Sequence, residues 1–149
     1  MALVGVARDD GLDDEKWLVS KMLNGRFFED EAGKMWKKSV MQSDYEVLLV
    51  SQFTLHAYMK GNKPDFHRAM GGDDAKRAFD SFVEATQQAY DPDRVKEGVF
   101  GAHMKVQLEN DGPITVTLDS RNRSGRDYPA SGGGATPSSD AASGGGGAQ

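Results

Sequence analysis

The chain has 149 residues, of which 38% are hydrophobic and 28% charged, and it carries a formal net charge of -5 at pH 7. This length and composition suit one folded domain with a single core. The negative charge excludes broad, sequence-blind adhesion to nucleic acid, because such binding depends on clustered Lys and Arg. The absence of cysteine excludes disulfides, thiolate metal sites and a cysteine nucleophile.

Membrane insertion and secretion are not indicated by the sequence. No apolar run approaches the roughly 20 residues that span a bilayer, and residues 1–6 lack the basic start and long apolar stretch of a secretory signal. We therefore expect a cytoplasmic protein without a membrane partner. Two local basic clusters are candidates for RNA contact, although most such runs are solvated surface. They are Lys34, Lys37 and Lys38 around Trp36, and Lys60, Lys63, His67 and Arg68 around Phe66.

The first half of the chain predicts a strand, a helix and a second strand. Residues 3–6 are mostly apolar and predict a short strand that begins almost at the first residue. Residues 13–23 place apolar side chains on one helical face, and Asp13 or Asp14 can cap this helix. Residues 45–52 contain consecutive apolar side chains without alternation, which predicts a strand buried on both faces. Such a strand implies a layered fold.

The second half predicts a helix followed by two strands. Apolar residues recur at helical spacing from Ala75 to Thr86, and Asp73 and Asp74 suit the amino-terminal end of this helix. Two segments then alternate apolar and polar side chains on either side of a tight turn. These segments, residues 104–108 and 114–118, predict adjacent antiparallel strands. The fold class is therefore α+β, with a mixed sheet and two helices packed on its outside.

A change of composition marks the end of the predicted domain. From Arg121 onward the chain is rich in Gly, Ser, Ala and Pro. Such a segment cannot bury enough apolar surface to offset its ordering entropy. We predict a folded domain over residues 1–120 and a disordered tail over residues 121–149. The candidate RNA contacts of the tail are Arg121, Arg123 and Arg126.

Metal and nucleotide-hydrolysis chemistry are disfavoured. The three histidines, His56, His67 and His103, lack the short-range spacing of a zinc site. The glycine runs of the tail have neither a preceding strand nor a following Lys-Ser/Thr pair, so they do not match a phosphate-binding loop. We expect no metal and no cofactor.

Three segments carry groups suited to chemistry, although each is more often an ordinary strand end, turn or surface loop. Residues 51–55, Ser-Gln-Phe-Thr-Leu, place hydroxyls and an amide at the carboxyl end of a buried strand. Residues 110–113, Asn-Asp-Gly-Pro, combine a glycine that lets the backbone approach a ligand with a proline that admits a cis bond. Residues 64–69 mix aromatic and basic groups able to stack on a base and hold phosphate.

Together, the motifs Ser51-Gln52-Phe53-Thr54-Leu55 and Asn110-Asp111-Gly112-Pro113-Ile114-Thr115 resemble the two signatures of D-aminoacyl-tRNA deacylases. The resemblance covers nearly all of residues 2–120. It implies a barrel-like sheet within the α+β class. It further implies a homodimeric enzyme with tRNA as its partner, which hydrolyses the ester of D-aminoacyl-tRNA and of glycyl-tRNA charged on a non-cognate tRNA.

The same resemblance assigns the binding residues of the site. Ser51 and the backbone of Phe53 are implied to hold the aminoacyl carbonyl. The terminal adenine is implied to lie between Phe100 and Met104, with Ala69 lining the same pocket. Chirality is implied to be read in the partner's site by the carbonyls of a cis peptide unit, which is formed by Gly112 and Pro113.

Thr54 is the candidate nucleophile by its position in the first motif, because its hydroxyl could attack the ester if a base or polarised neighbour activated it. However, no His or carboxylate is evidently paired with Thr54 to activate it. We therefore favour a second mechanism, in which the site polarises the ester carbonyl and the 2'-hydroxyl of the terminal adenosine assists attack by water.

The chain departs from the family pattern in two places, and two alternatives stay open. An amino-terminal hairpin that completes the barrel in the family is missing, and Gly25 stands where a large apolar residue is usual, so we expect lost burial there. The first alternative is an inactive, truncated RNA-binding module of the same fold. The second is a proofreading relative of relaxed chirality that acts on L-residues through a trans Gly-Pro unit.

Overall fold

The computed structural model describes residues 1–124, in which two helices pack against a three-stranded parallel sheet. This sheet contains β1 (Ala2–Val4), β2 (Val47–Ser51) and β5 (Val95–Glu97), in the spatial order β1-β2-β5. A separate antiparallel pair joins β3 (Tyr58–Lys60) to β4 (Lys63–Asp65). The α+β class with two helices is thus confirmed.

The central strand β2 confirms the predicted buried strand over a shorter range. It pairs in parallel with β1, which places Leu49 opposite Ala2, and with β5, which places Val47 opposite Val95. One face of β2 lies in the core, because Val47 and Leu49 are both buried. The other face is covered only in part, since Leu48 is 36% exposed.

Both predicted helices are present, as α1 (Leu12–Asn24) and α2 (Gly72–Ala89). The residue at the start of α1 is Gly11 rather than an aspartate, and its backbone N–H donates to the carboxylate of Asp14 at 3.0 Å. The apolar face of α2 supplies Phe79, Phe82 and Val83 to the core that it shares with α1 and the parallel sheet.

The barrel-like sheet is not confirmed. The mixed sheet and the two carboxyl-terminal strands are wrong predictions, since the three-stranded sheet is parallel throughout and the antiparallel pair is separate from it. Within residues 1–124 no sheet closes on itself, and residues 104–108 and 114–118 have no strand pairing. Their apolar side chains remain between 41% and 54% exposed at Val106, Leu108, Ile114 and Val116. Alternation predicts which side chains share a face, but a strand also needs a neighbouring strand for its hydrogen bonds. No such neighbour lies beside these residues in the described part of the chain.

Ordered contacts continue past the predicted domain end at residue 120. Arg121 forms ion pairs with Asp9 and Asp10. Arg123 forms an ion pair with Asp14 and lies 5.8 Å from the ring centroid of Trp17. Arg121 therefore contacts the residues just before α1 and Arg123 contacts its first turn, so both candidate RNA contacts are paired with acids of the same chain. Residues 125–149, including Arg126, lie outside the described residues.

The lost burial expected at Gly25 is also wrong, because no space is left there. A Cβ added to Gly25 would collide with the ring of Phe27 and would lie 2.6 Å from the carbonyl oxygen of Lys21. The Phe27 ring therefore occupies the volume that a larger residue at position 25 would need.

We predict that Gly25→Ala lowers the free energy of unfolding by about 1 to 3 kcal/mol, because the methyl group forces the Phe27 ring out of its place. Urea denaturation measures this difference. Ser20→Ala, on the exposed side of α1, is the matched control and should change stability by no more than about 0.5 kcal/mol. An unchanged midpoint for Gly25→Ala would contradict the packing described for Phe27.

The pKa of the Asp14 carboxyl is lowered from its ordinary value, mainly because the N–H of Gly11 donates to it. Burial raises this pKa, whereas hydrogen bonds from Ser120 and Arg123 lower it further. A depressed folded-state pKa gives stability that is present above the unfolded pKa of about 4 and lost as the pH falls through the folded value. Asp14→Ala should therefore cost about 1 kcal/mol at pH 7, and the difference from the parent chain should shrink toward pH 3.

Asp13→Ala is the control for this measurement, because Asp13 lies in the same first turn of α1 but its side chain forms no hydrogen bond within residues 1–124. Equal losses of stability for the two variants would show that the helix dipole alone, and not the bond to Gly11, accounts for the contribution of Asp14.

Candidate active site

The carboxyl ends of β1, β2 and β5 meet at one edge of the parallel sheet. In sheets of this kind, ligands bind in the crevice outside the carboxyl ends of the strands. The chain continues from β2 into a 3₁₀-helix, Phe53–His56. From β5 it continues through residues 98–104, and from β1 through residues 5–8. The first two connections contain Phe53, Thr54, Phe100 and Met104, and residue 7 of the third is bridged to Ala69.

Residues 51–54 begin where β2 ends. Ser51 is the last residue of β2 and lies opposite Val4. The backbone N–H of Gln52 donates to the carbonyl of Val4 at 2.8 Å, which holds the start of the turn against β1. The side-chain amide of Gln52 donates to the hydroxyl of Thr54. Ser51 and Gln52 are half-buried, whereas Phe53 and Thr54 are exposed.

The 3₁₀-helix offers free hydrogen-bond donors. Its first N–H groups have no intrahelical acceptor, and within residues 1–124 no other acceptor bonds the N–H of Phe53 or Thr54. The hydroxyl of Ser51 lies at the adjoining end of β2. Such donors can polarise the carbonyl of an ester as negative charge develops on its oxygen.

Ala69 reaches this edge through the extension of β1. Ala7 and Ala69 form an antiparallel bridge, and the N–H of Met70 donates to the carbonyl of Val6 at 2.9 Å. Ala69 is buried, at 7% exposure. The residues just before it are tied to the first motif, because the ring of Phe66 meets the ring of Phe53 edge-on at a centroid distance of 4.9 Å.

Phe100 and Met104 reach the edge from β5. The ring of Phe100 is half-buried, 5.8 Å from the ring of Phe79. Met104 packs over Gly98, because a Cβ on Gly98 would lie 3.1 Å from its sulfur. The same position lies 3.5 Å from a methyl group of Val50, the residue before Ser51. Met104 therefore lies near the end of β2, whereas Phe100 packs on Phe79 of α2.

Gly112 and Pro113 are not joined to this edge. Both are exposed, in a turn where the N–H of Ile114 donates to the carbonyl of Asp111 at 3.3 Å. Within residues 1–124 no hydrogen bond or ring contact connects them with residues 51–54. The described peptide bonds include none in the cis form, so the bond between Gly112 and Pro113 is trans and the expected cis unit is wrong here.

His56 and Tyr58 were not assigned to the site from sequence. The Nε2 atom of His56 is buried without a hydrogen-bond partner among the described residues and lies 3.2 Å from a Cβ position on Gly5. Although His56 shares the 3₁₀-helix with Thr54, it does not bond the Thr54 hydroxyl. Tyr58 accepts a hydrogen bond from Arg68. A three-residue strand carries too little periodicity to reveal that contact in advance.

Residues 1–124 contain neither a metal-binding cluster nor a membrane-spanning helix. Over residues 1–124, no group of three or more His, Asp or Glu side chains is arranged to hold a metal ion. None of the helices in that range has the length and apolar character needed to cross a membrane.

Comparison with known proteins places the chain among deacylases. A family model described as D-Tyr-tRNA(Tyr) deacylase matches residues 1–119. D-aminoacyl-tRNA deacylase 1 of Mus musculus is 49% identical over 118 residues, which cover 79% of this chain and 56% of that protein. The D-aminoacyl-tRNA deacylase of Dictyostelium discoideum is 47% identical over 124 residues, which cover 83% of this chain and 82% of that protein. The chain therefore spans little more than half the length of the mammalian relatives.

Solved structures agree. A structure titled c-Myc DNA Unwinding Element Binding Protein matches with a TM-score of 0.76 at 49% identity, over 78% of each chain. A second, titled as a probable eukaryotic D-amino acid tRNA deacylase, has a TM-score of 0.59 at 18% identity over 72% of this chain and 76% of that chain, and shows likeness of fold alone. From the match over residues 1–119 and the identity to these relatives, the chain belongs to the D-Tyr-tRNA(Tyr) deacylase family.

Proposed function

We propose that this protein hydrolyses the ester bond of D-aminoacyl-tRNA and releases the free D-amino acid and the tRNA. The observation that carries the proposal is that β1, β2 and β5 end at one edge of the sheet. The free N–H groups of residues 53 and 54 follow β2 there, Phe100 and Met104 follow β5, and Ala69 is bridged to the extension of β1. The relatives that bear the deacylase name support the reaction. We extend the proposal to glycyl-tRNA charged on a non-cognate tRNA and to a cytoplasmic location.

In this proposal, the terminal adenosine enters beside β5. Phe100 and Met104 flank the adenine base, and Ala69 closes the same pocket. The aminoacyl carbonyl then points at the end of β2, where the hydroxyl of Ser51 and the N–H of Phe53 donate to its oxygen. Donors held in place in this way stabilise the negative charge of the tetrahedral intermediate.

Water is the proposed nucleophile. It adds to the carbonyl carbon, the bond to the ribose oxygen breaks, and that oxygen leaves with a proton. The neighbouring 2'-hydroxyl of the ribose assists this proton transfer because it lies next to the reacting ester. The hydroxyl of Thr54 accepts a hydrogen bond from the amide of Gln52, and an amide cannot act as the general base that a threonine nucleophile requires.

We predict that Thr54→Ala retains most of the rate of the parent chain, because the threonine hydroxyl does not attack the ester. Ser51→Ala should lower the rate by about 10²-fold, since it removes one donor to the developing oxyanion. Single-turnover hydrolysis of a D-aminoacyl-tRNA measures both, with circular dichroism to verify folding. A folded but inactive Thr54→Ala would contradict the mechanism.

We also propose a homodimer in which Gly112 and Pro113 approach the partner's site. Support comes from the segment that contains them, where the apolar side chains of Val106, Leu108, Ile114 and Val116 are exposed. Exposed apolar groups that cluster along one segment are typical of surfaces that another chain covers.

This arrangement predicts complementation between two inactive variants. In a mixed dimer of Ser51→Ala with Gly112→Leu, one of the two sites receives Ser51 from one subunit and Gly112 from the other. We expect each variant alone to hydrolyse at about one hundredth of the parent rate or less. The mixture should recover hydrolysis, while sedimentation gives twice the chain mass of 16.2 kDa. A mixture as inactive as its components would contradict a site shared between subunits.

The trans bond before Pro113 favours a second candidate function. In this alternative the chain is a proofreading enzyme of relaxed chirality that also accepts L-residues. Matched D- and L-aminoacyl forms of one tRNA separate the two functions. Hydrolysis of the D-form alone supports our first proposal, comparable rates on both forms support the second, and tRNA binding without hydrolysis of either identifies an inactive RNA-binding module.

A further inference from the structure

We propose that the tRNA phosphate backbone beside the active site is held by one defined surface, which we call the basic hairpin. It consists of β3, β4 and Arg68. This inference deepens the proposed function, on which it rests, by stating which of the two basic clusters of the chain contacts the RNA.

Two lysines of like charge face each other in the basic hairpin. In the antiparallel register of β3 and β4, Lys60 lies directly opposite Lys63. Like charges at opposed positions destabilise a strand pair. Among the described residues no carboxylate lies within 4.0 Å of either ammonium group to offset this repulsion. An open cavity of about 500 Å³ is lined by both lysines together with Pro64 and Asp65. A phosphate placed there would relieve the repulsion.

The charged residues next to these lysines do not neutralise them. Asp65 is the only acid in residues 58–68, and its carboxylate is held by the ring and backbone N–H of His67, at 2.5 Å and 2.8 Å. Within residues 1–124 no carboxylate lies within 4.0 Å of the Arg68 guanidinium, and Asp9, whose pKa is lowered mainly by Arg121 and to a lesser extent by Arg68, is already paired with Arg121. The Arg68 guanidinium donates to the hydroxyl of Tyr58 and lies 4.7 Å from the centroid of that ring. The basic hairpin therefore presents net positive charge on a protein whose overall charge is -5.

The basic hairpin lies beside the candidate active site. The basic hairpin begins just after the 3₁₀-helix of the first motif and ends just before Ala69. It is fixed to the site by the contact of Phe66 with Phe53, at 4.9 Å between ring centroids. The proposed adenosine site beside Phe100 and the basic hairpin both follow strands that end at this edge of the sheet, so we expect the phosphates of the bound RNA to reach the lysines.

The other basic cluster lies at the opposite edge of the sheet. The turn that carries Lys34 and Lys37 returns to Phe28, which packs on Tyr45 at a centroid distance of 5.1 Å. Tyr45 precedes β2 and therefore marks its amino end, whereas the candidate site lies at its carboxyl end. The third lysine of this cluster, Lys38, already forms an ion pair with Glu31.

An RNA backbone fits the basic hairpin better than an acidic peptide does. Both faces of β3 are exposed, and beside the cations they present Tyr58, 47% exposed, and Met59, 66% exposed. Flat aromatic groups next to Lys and Arg suit unpaired nucleotides, because a base can stack while its phosphate is neutralised. Competition by an acidic peptide therefore tests whether the basic hairpin prefers RNA.

The experiment compares two double variants of the 149-residue chain, Lys60→Gln/Lys63→Gln and the matched control Lys34→Gln/Lys37→Gln. Both remove two positive charges from exposed side chains. We expect the hairpin variant to raise KM for D-aminoacyl-tRNA about tenfold at unchanged kcat, and to lower the slope of log affinity against log salt by about 1.5 to 2. The control should stay within about twofold of the parent chain in KM.

Two further readouts separate this inference from the proposed function. Fluorescence anisotropy with uncharged tRNA measures binding without hydrolysis, and an acidic peptide of equal charge is tested as a competitor. A D-aminoacyl ester of adenosine, which carries no phosphate, provides a reference rate, and the ratio of the tRNA rate to this reference should fall about tenfold in the hairpin variant.

Each outcome decides a claim. If only the hairpin variant loses tRNA binding, the basic hairpin is supported as the RNA-binding surface. If in addition the parent chain does not hydrolyse D-aminoacyl-tRNA, only the proposed function fails. The inference is overturned if the parent chain does not bind tRNA, if both double variants lose binding equally, if the hairpin variant binds normally, or if the acidic peptide displaces tRNA efficiently.

Discussion

The parallel pairing of β2 with a strand on each side is the constraint on which the site depends. Two hydrogen bonds extend this pairing beyond the strands, from Gln52 to Val4 at 2.8 Å and from Gly98 to Leu49 at 2.8 Å. Together they bring the residues after all three strands to one edge. Because Leu49 is buried in the core shared with both helices, this edge is supported by the most protected part of the molecule.

Each segment that reaches this edge carries a different kind of chemical group. The end of β2 presents hydrogen-bond donors, the segment after β5 presents Phe100 and Met104, and the basic hairpin presents cations beside the first motif. These groups come from two separate parts of the sequence, residues 51–68 and residues 98–104. Substrate contacts of different chemistry can therefore change independently of the core that positions them.

The distribution of ion pairs explains how an acidic protein keeps a local cationic surface. Arg121 is neutralised by acids just before α1, Arg123 by Asp14 in the first turn of α1, and Lys38 by Glu31. The lysines of the basic hairpin have no such partner within residues 1–124. Exposed ion pairs contribute little stability, typically below about 1 kcal/mol each, so their absence at the basic hairpin costs the fold little.

The sequence by itself determined the two helices, the buried central strand, the α+β class and the family, because these follow from periodicity, from uninterrupted apolar runs and from two motifs in order. Tertiary structure alone decided the rest. Strands β3, β4 and β5 are too short for a periodic signal, and alternation in residues 104–118 could not show that no strand lies beside them. The ring of Phe27 fills the space beside Gly25, and no sequence pattern predicts this contact. The two lysine clusters look alike in sequence, and only the direction of β2 places one of them beside the candidate site and the other at the opposite edge.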